Sequence, residues 1–460
     1  MADDLTISTP AGPRSLLDED TTCASSAAEL KEDKSALASQ HNLEESALSE
    51  KEAGRPAPTH SEPTFPDGGW RAWLVVFGAM CNAFSTFGYV NSWGVFQAHY
   101  QSTLLKDSSP SNIAWIGSIQ YALIFFPGLI VGRLFDLGYF RSVLFASSAL
   151  LVASTFLVAQ CKEYWHFLLC QGIATGMACG GIFGPTSTVV AHWFKRRRGI
   201  AMAFVAVGSS LGGTILPIAA KNLIPAVGLS WTMRIIGFIL LVALGCSNLT
   251  LRRRFPPTNV PGGLLNLRAF KSAPYTIYCL STLVTFLGLY TILTYVSVSA
   301  LELGISPSLS FYLLAVANGS SFFGRLSAGL LADLYGPANI MIIFTTIAGV
   351  MTYAWPFALS KGSLIAVVVI YGFSSGAYVS LLSNPLMELG ATDDLGRRIG
   401  MAMSILSFGA LAGPPISGAI STASGGFKVV GYYAGSMVIV GVIMICITRQ
   451  LVLRRVLGKF

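Results

Sequence analysis

The sequence predicts an all-α membrane protein with twelve transmembrane helices in two pseudo-symmetric six-helix halves. Of its 460 residues, 53% are hydrophobic and 11% are charged, whereas a soluble protein carries about 25% charged residues. Apolar stretches of about 20 residues, the length that crosses a bilayer, recur along the chain after position 70. The second half of the chain also repeats segments of the first. This composition excludes a soluble enzyme.

Short polar loops separate the apolar stretches, which are predicted to be the membrane spans. The stretches cover residues 72–97, 113–132, 142–160, 166–191, 199–220, 232–251, 275–299, 309–331, 339–359, 364–387, 399–421 and 429–449. The longer segment between the sixth and seventh stretches is basic and rich in Pro and Gly, which is typical of a linker. The predicted domains are therefore a six-helix half at 67–251, a cytosolic linker at 252–273, a second half at 274–449 and a basic cytosolic C-terminus at 450–460.

The first 66 residues differ in composition from the rest of the chain. They hold 13 Asp and Glu against 5 Lys and Arg, with few aromatic residues. Such a segment cannot bury enough apolar surface to fold, so 1–66 is predicted to be a disordered acidic tail. In the remaining loops and the C-terminus, Lys and Arg number 17 on one side of the predicted spans and 5 on the other. The positive-inside rule then places both termini in the cytosol, and we expect a multi-pass protein of the plasma membrane.

Three pairs of segments carry the internal repeat. FFPGLIVGRLFD at 125–136 matches FFGRLSAGLLAD at 322–333. Spans 4 and 10 share two glycines and a proline, and spans 5 and 11 share a Gly-x-Ala-Met motif. In all three pairs the matching residues are separated by nearly the same number of residues along the chain. Three matches in the same order predict a duplication of six spans, with the two copies related by an axis along the membrane normal.

The repeated Gly-xxx-Asp motif ends spans 2 and 8 on the cytosolic side. It resembles the cytoplasmic loop signature of the major facilitator superfamily, in which the substrate binds between two halves that rock around it. A glycine allows close helix approach, and the aspartate can accept from a helix N-terminus or an arginine. We expect the motif to close the cytosolic side, with ordinary helix capping as the alternative. The expected switch residues are Gly132, Asp136, Arg141, Gly329 and Asp333.

Two further motifs resemble the signatures of the monocarboxylate transporter family, especially its fungal branch. One precedes span 1 as DGGWRAW at 67–73, and the other enters span 5 as WFKRRRGIA at 193–201. The resemblance runs from about residue 66 to the end and identifies a family rather than a substrate site. The matching positions include Asp67, Gly68, Gly69, Trp70, Phe194, Arg197, Arg198 and Gly208.

The sequence departs from the well-studied animal members of that family at two positions. There, a lysine in span 1 and an aspartate one turn before an arginine in span 8 are associated with binding a proton and a carboxylate. The corresponding positions are Asn91 and Ser321, and only the arginine, Arg325, remains. No carboxylate lies inside a predicted span. Proton-coupled transport of lactate-like solutes therefore does not simply carry over.

Arg325 is the main candidate for binding the solute. An ionised group inside a span is unfavourable and usually faces a cavity. Its nearest carboxylate in sequence, Asp333, lies about 12 Å along the helix, so Arg325 would attract an anionic or carbonyl-rich solute. The alternative is an arginine that snorkels to the cytosol or bonds carbonyls of another helix. The polar residues predicted to line the cavity with it are Asn91, Ser321, Asn318, Tyr89, Tyr121 and Gln120.

These patterns favour a secondary active transporter of a small organic solute, either an anion or a fungal secondary metabolite, with export favoured. Import of a monocarboxylate or vitamin-like nutrient remains an alternative, as does a non-transporting membrane sensor with the tail as its output module. No catalytic motif or nucleotide loop is present, and the cysteines are scattered. We therefore expect no enzyme, metal or cofactor. The expected partners are the solute and the bilayer, without nucleic acid or a required oligomer.

Overall fold

The computed structural model describes residues 65–257, 263–390, 394–455 and 458–460. Residues 65–460 form one compact unit, and its described part is helical. The predicted acidic tail lies outside the described residues except for its last two positions. The predicted domain boundaries stay predictions.

Sixteen α-helices run through the described residues and are numbered here in chain order. The helices before the linker are α1 (Trp70–Ala83), α2 (Trp93–His99), α3 (Pro110–Ala122), α4 (Gly128–Asp136), α5 (Phe140–Val158), α6 (Tyr164–Phe167), α7 (Thr175–Ala191) and α8 (Arg198–Thr250). Those after it are α9 (Ala273–Leu289), α10 (Thr291–Glu302), α11 (Pro307–Tyr335), α12 (Pro337–Ala354), α13 (Lys361–Leu381), α14 (Asn384–Glu388), α15 (Leu395–Ser424) and α16 (Lys428–Leu453).

Nine helical segments of the described chain are long and apolar enough to cross a membrane. The longest, α8, has 53 residues but is broken at Gly228, whose φ of 78° is not helical. The helices α3, α4 and α11 are not among the nine, and residues 123–127 form turns between α3 and α4. The observed helices agree with the predicted all-α membrane fold, whereas the count of twelve spans stays a prediction.

Glycines bring helices of the two sequence repeats into close contact at the predicted cytosolic end. A Cβ atom on Gly329 of α11 would lie 2.7 Å from the carbonyl oxygen of Gly199, at the start of α8. A Cβ atom on Gly132 of α4 would collide with the carbonyl oxygen of Gly396, at the start of α15. Any side chain at these positions would push the helices apart. The glycines therefore allow α11 to pack on α8 and α4 to pack on α15.

The first predicted span is not a continuous α-helix. After α1, residues Phe84–Gly88 form a π-helical turn, and the chain turns again before α2 begins at Trp93. Such π-helical turns often lie at functional sites because they redirect side chains. Phe87 and Asn91 lie in this break, and both line the cavity described next.

Candidate functional site

A small cavity lies among helices of both sequence repeats. The volume in which the centre of a water-sized sphere fits is about 30 Å³. This is room for roughly two water molecules. Of the described residues that line it, Arg325 carries the only charge. The lining residues are Phe87, Asn91, Ser209, Leu289, Tyr290, Leu293, Ala317, Asn318, Ser321, Arg325, Gly372, Ser375, Gly376 and Val379.

The structure brings together four of the seven residues predicted to bind solute, namely Arg325, Asn91, Asn318 and Ser321. The other three do not line this cavity. Tyr121 lies behind it, with its ring 4.7 Å from that of Tyr290. Tyr89 packs near Phe96, with the ring centroids 6.2 Å apart. Gln120 is buried beside Gly176, where its Cα would lie 3.1 Å from an added Cβ.

Two serines of the cavity were absent from the predicted site. Ser209 follows Gly208 in the signature that enters span 5, so the motif already marked its neighbourhood. Ser375 lies on α13 with no polar motif around it, and only the packing of α13 places it at the cavity.

Arg325 connects α11 to α8. Its Nε donates to Ser321 Oγ at 2.9 Å, and its Nη1 donates to the carbonyl oxygen of Ala206 at 2.7 Å and to Ser209 Oγ. The side chain is 8% exposed. All three acceptors are neutral, and the described cavity lining contains no carboxylate. The guanidinium therefore keeps a positive charge at the cavity that no acidic partner in the lining offsets.

Further polar contacts join the same two helices. Asn318 Nδ2 donates to the carbonyl oxygen of Gly213 at 3.1 Å, and Ser210 Oγ donates to Ser321 Oγ at 3.4 Å. A Cβ atom on Gly213 would lie 2.9 Å from Asn91 Nδ2, so this glycine lets α8 approach both neighbours. We call this set of contacts the α8–α11 seam. It consists of Ala206, Ser209, Ser210 and Gly213 on α8 with Asn318, Ser321 and Arg325 on α11.

Aromatic rings form one side of the cavity. Tyr290 and Phe87 line it directly. Behind them, Phe286 lies 5.4 Å from Tyr290, and Phe125 lies 5.8 Å from Phe87, measured between ring centroids. Apolar walls with a few convergent polar groups are typical of sites that bind small organic molecules.

The Asp136 carboxylate joins the end of α4 to the start of α15. It accepts from the backbone N–H of Gly396 at 3.1 Å and of Arg397 at 2.8 Å. Burial raises the pKa of Asp136 to about 6, although the two N–H groups act to lower it. The sequence left two partners open for this carboxylate, a helix N-terminus or an arginine such as Arg141. The described donors are backbone groups at a helix N-terminus, and Arg141 is exposed on α5. A helix N-terminus supplies these donors without any side chain.

The Asp333 carboxylate makes the equivalent contact in the second repeat. It accepts from the backbone N–H of Gly199 at 2.7 Å and of Ile200 at 2.9 Å, at the start of α8. Burial also raises the pKa of Asp333. We call the Asp136 and Asp333 contacts, which lie at the predicted cytosolic end, the interlock. They tie each repeat to the first turn of a helix in the other repeat.

Basic side chains bind the backbone next to both interlock carboxylates. Lys459 Nζ donates to the carbonyl oxygen of Asp333. Arg253 Nη1 donates to the carbonyl oxygen of Phe135, and its guanidinium lies 4.9 Å from the centre of that ring. Phe135 directly precedes Asp136. The segments that follow α8 and α16 therefore each support one side of the interlock.

The two signature segments contact each other through Asp67. Its Oδ1 accepts from the backbone N–H groups of Lys195 at 2.7 Å, Arg196 at 2.7 Å and Arg197 at 3.2 Å. Its own N–H donates to the carbonyl oxygen of Trp193 at 3.1 Å. The φ of Asp67 is 49°, a conformation that non-glycine residues rarely adopt. Because the 193–197 loop leads directly into α8, Asp67 helps to position the helix that carries half of the seam.

The remaining signature residues also have structural positions away from the cavity. Gly68 and Gly69 have φ values of 157° and 87°, which residues with a side chain rarely adopt. Trp70 is exposed, whereas Phe194 is fully buried and accepts from Arg198 Nε through its carbonyl oxygen. Gly208 lies where a Cβ atom would collide with the carbonyl oxygen of Met80, so it packs α8 against α1.

The chain is similar to known proteins over most of its length. The family model described as Major Facilitator Superfamily matches residues 75–392 and 279–455. The chain is 38% identical over 398 residues to the MFS transporter asaE of Aspergillus flavus, covering 86% of this chain and 90% of that protein. It is 37% identical over 402 residues to the aspyridones efflux protein apdF of Emericella nidulans, covering 87% and 82%.

A solved structure supports the same architecture. The crystal structure of the human organic anion transporter MFSD10 matches with a TM-score of 0.65 and 16% identity, covering 81% of this chain and 98% of that chain. At this identity the likeness concerns the fold alone, and it agrees with the fold predicted from the repeat.

Proposed function

We propose that this chain, which belongs to the Major Facilitator Superfamily, is a secondary active transporter that exports a small organic solute by alternating access. Membership in a family of transporters supports transport rather than catalysis. The name of the efflux protein from Emericella nidulans supports export, and it supports a solute of the secondary-metabolite kind.

The single observation that carries the substrate class is the charge of the cavity. Among the described lining residues, Arg325 is the only charged one, and none of them is a carboxylate that could neutralise it. A guanidinium binds a carboxylate through two parallel hydrogen bonds, which makes it selective for planar two-oxygen anions. The neighbouring rings of Phe87 and Tyr290 suit an apolar body. The proposed solute therefore has a planar acidic group attached to an apolar, ring-bearing body.

The proposal extends to the monocarboxylate transporter-like branch of the superfamily. The support is that the two signature segments contact each other through the three hydrogen bonds accepted by Asp67. This contact gives both segments a shared structural role, which is a reason for them to occur together. The loss of the expected lysine and aspartate, at Asn91 and Ser321, separates this chain from the well-studied members. We also propose a plasma-membrane location with both termini in the cytosol, supported by the distribution of Lys and Arg.

Transport can be tested with the full-length protein in liposomes. The probe is 2-naphthoate, an aromatic carboxylate, and the matched neutral probe is 2-naphthamide, which has the same shape without the charge. We expect flux of the naphthoate above that of protein-free liposomes, little flux of the amide, and loss of naphthoate flux in Arg325→Ala. Equal flux of both probes would contradict the anion-binding role of Arg325. Saturable binding without flux would favour the sensor interpretation.

A further inference from the structure

The α8–α11 seam uses the polar groups of the proposed solute site to close the cavity. Arg325, Ser321 and Asn318 all bond to α8 rather than point into open space. The remaining cavity has room for roughly two water molecules. A ring-bearing solute does not fit in this volume, so the lining must move to admit it. Separation of α8 from α11 would enlarge the cavity and would break these hydrogen bonds.

The acceptors that hold Arg325 can be replaced by an anion. The carbonyl oxygen of Ala206 and the hydroxyl of Ser209 are neutral, and both bind the same nitrogen, Nη1. Because the guanidinium is ionised, its bonds to these neutral acceptors are already charge-assisted. A carboxylate adds the attraction of an opposite charge to the hydrogen bonds. The carboxylate also supplies the negative charge that the described cavity lining lacks. A bidentate carboxylate binds one N–H on each of two guanidinium nitrogens, so it takes one bond at Nη1 in place of the α8 acceptors and a second bond at a neighbouring nitrogen. This exchange is favourable for Arg325.

We propose that Ser209 sets the specificity of this transporter by competing with the solute for Arg325. With the carbonyl oxygen of Ala206, it occupies the guanidinium in the solute-free state, and an anionic solute binds by displacing both acceptors. Solute binding and separation of α8 from α11 are then the same event. This inference rests on the proposed function, because it requires an anionic solute at Arg325.

The competition explains how neutral analogues are rejected. A ligand can shift an equilibrium only by its difference in affinity for the two states. A neutral amide offers Arg325 acceptors no stronger than those of α8, so it gains nothing by opening the seam. A carboxylate gains the difference between a neutral and an ionised acceptor. The seam therefore selects for charge before any shape recognition by the aromatic walls.

The decisive variant is Ser209→Ala in the full-length protein, because it weakens the seam without changing Arg325. If Ser209 competes with the solute, its removal should tighten binding of 2-naphthoate about fivefold, the equivalent of one lost hydrogen bond. Binding of 2-naphthamide should change much less. The matched control is Ser407→Ala, since Ser407 is equally buried but bonds within its own helix, α15, away from the cavity. A weaker affinity in Ser209→Ala would make Ser209 a direct solute ligand and overturn the proposal.

A second measurement needs no solute. Ser375 lines the cavity and is buried, so a Ser375→Cys protein without its native cysteines should react slowly with a membrane-impermeant thiol reagent. Adding Ser209→Ala should increase that rate severalfold, whereas adding Ser407→Ala should not. An unchanged rate would show that the seam does not close the cavity and would overturn the inference. Faster labelling in a protein that neither binds nor moves the naphthoate would reject the proposed function and retain the seam as the closing contact.

Discussion

The interlock gives the most direct prediction, for the variant Asp136→Asn. The wild-type carboxylate accepts from the N–H groups of Gly396 and Arg397 at 3.1 and 2.8 Å. Asparagine keeps one acceptor oxygen and turns an NH₂ group toward the other N–H donor. The variant therefore loses one charge-assisted hydrogen bond, worth about 1.5–3 kcal/mol, and weakens the other. Allowing for water that replaces the lost bond when the helices separate, we expect a net loss of about 1–2 kcal/mol, which is a factor of about 5–30 in the closed-to-open ratio.

The assay is thiol labelling from the cytosolic side. Met403 on α15 is 3% exposed and lies opposite Gly128 of α4, so Met403→Cys reports separation of these two helices. The labelling rate should rise by that factor in Asp136→Asn. Asp107→Asn, in an exposed loop, is the matched control and should leave the rate unchanged. A rate in Asp136→Asn equal to that of the control would refute the assignment of Asp136 to the interlock.

The same variant tests the dependence on pH. Burial in the closed form raises the pKa of Asp136 from 3.8 to about 6. The closed form therefore binds the proton more tightly than an open form in which the carboxyl is solvated. A protonated carboxyl keeps two oxygen atoms toward the N–H donors, whereas asparagine turns an NH₂ group toward one of them. Protonation and the Asn substitution therefore act in opposite directions. The closed fraction should grow as the pH falls from about 6 toward 4 and should shrink as the pH rises through this window. Asp136→Asn should lose most of this dependence, with a remainder from Asp333, whose pKa burial also raises.

Four further outcomes are expected. Arg325→Ala should abolish naphthoate flux while the protein still reaches the membrane. Arg325→Lys should retain only part of the flux, because an ammonium cannot make the two parallel hydrogen bonds. Normal naphthoate affinity in the alanine variant would contradict this prediction. Asp67→Ala should lower the thermal unfolding temperature by a few degrees, because three N–H groups lose their acceptor, with naphthoate affinity unchanged. Lys459→Ala removes the hydrogen bond to the carbonyl oxygen of Asp333, so the rate of Met403→Cys labelling from the cytosolic side should rise about twofold to fivefold. An unchanged rate would contradict the role of Lys459 in supporting the interlock. Deletion of residues 1–64 should leave flux per molecule within about twofold, which transport by the truncated protein can check.

The sequence could place residues along helices but could not determine which residues meet. Asn91, Asn318, Ser321 and Arg325 were found from polarity inside apolar spans, and all four line the cavity. Tyr121 satisfied the same criterion yet lies behind the cavity wall. A polar residue in an apolar span needs a polar environment. The rotation of its helix determines whether the side chain faces the cavity or only another helix.

The sequence by itself determined the fold class, the repeat and the signature motifs, because hydropathy, span length and glycine spacing are local properties of the chain. Only the tertiary structure decided that Asp67 binds a loop 128 residues away, that Arg325 is held by α8, and that backbone N–H groups at the start of α15 bind Asp136. These contacts depend on how each helix is rotated. They also depend on differences of a few tenths of an ångström in how closely the helices approach. Packing of the whole chain sets both, so no single segment of sequence contains them.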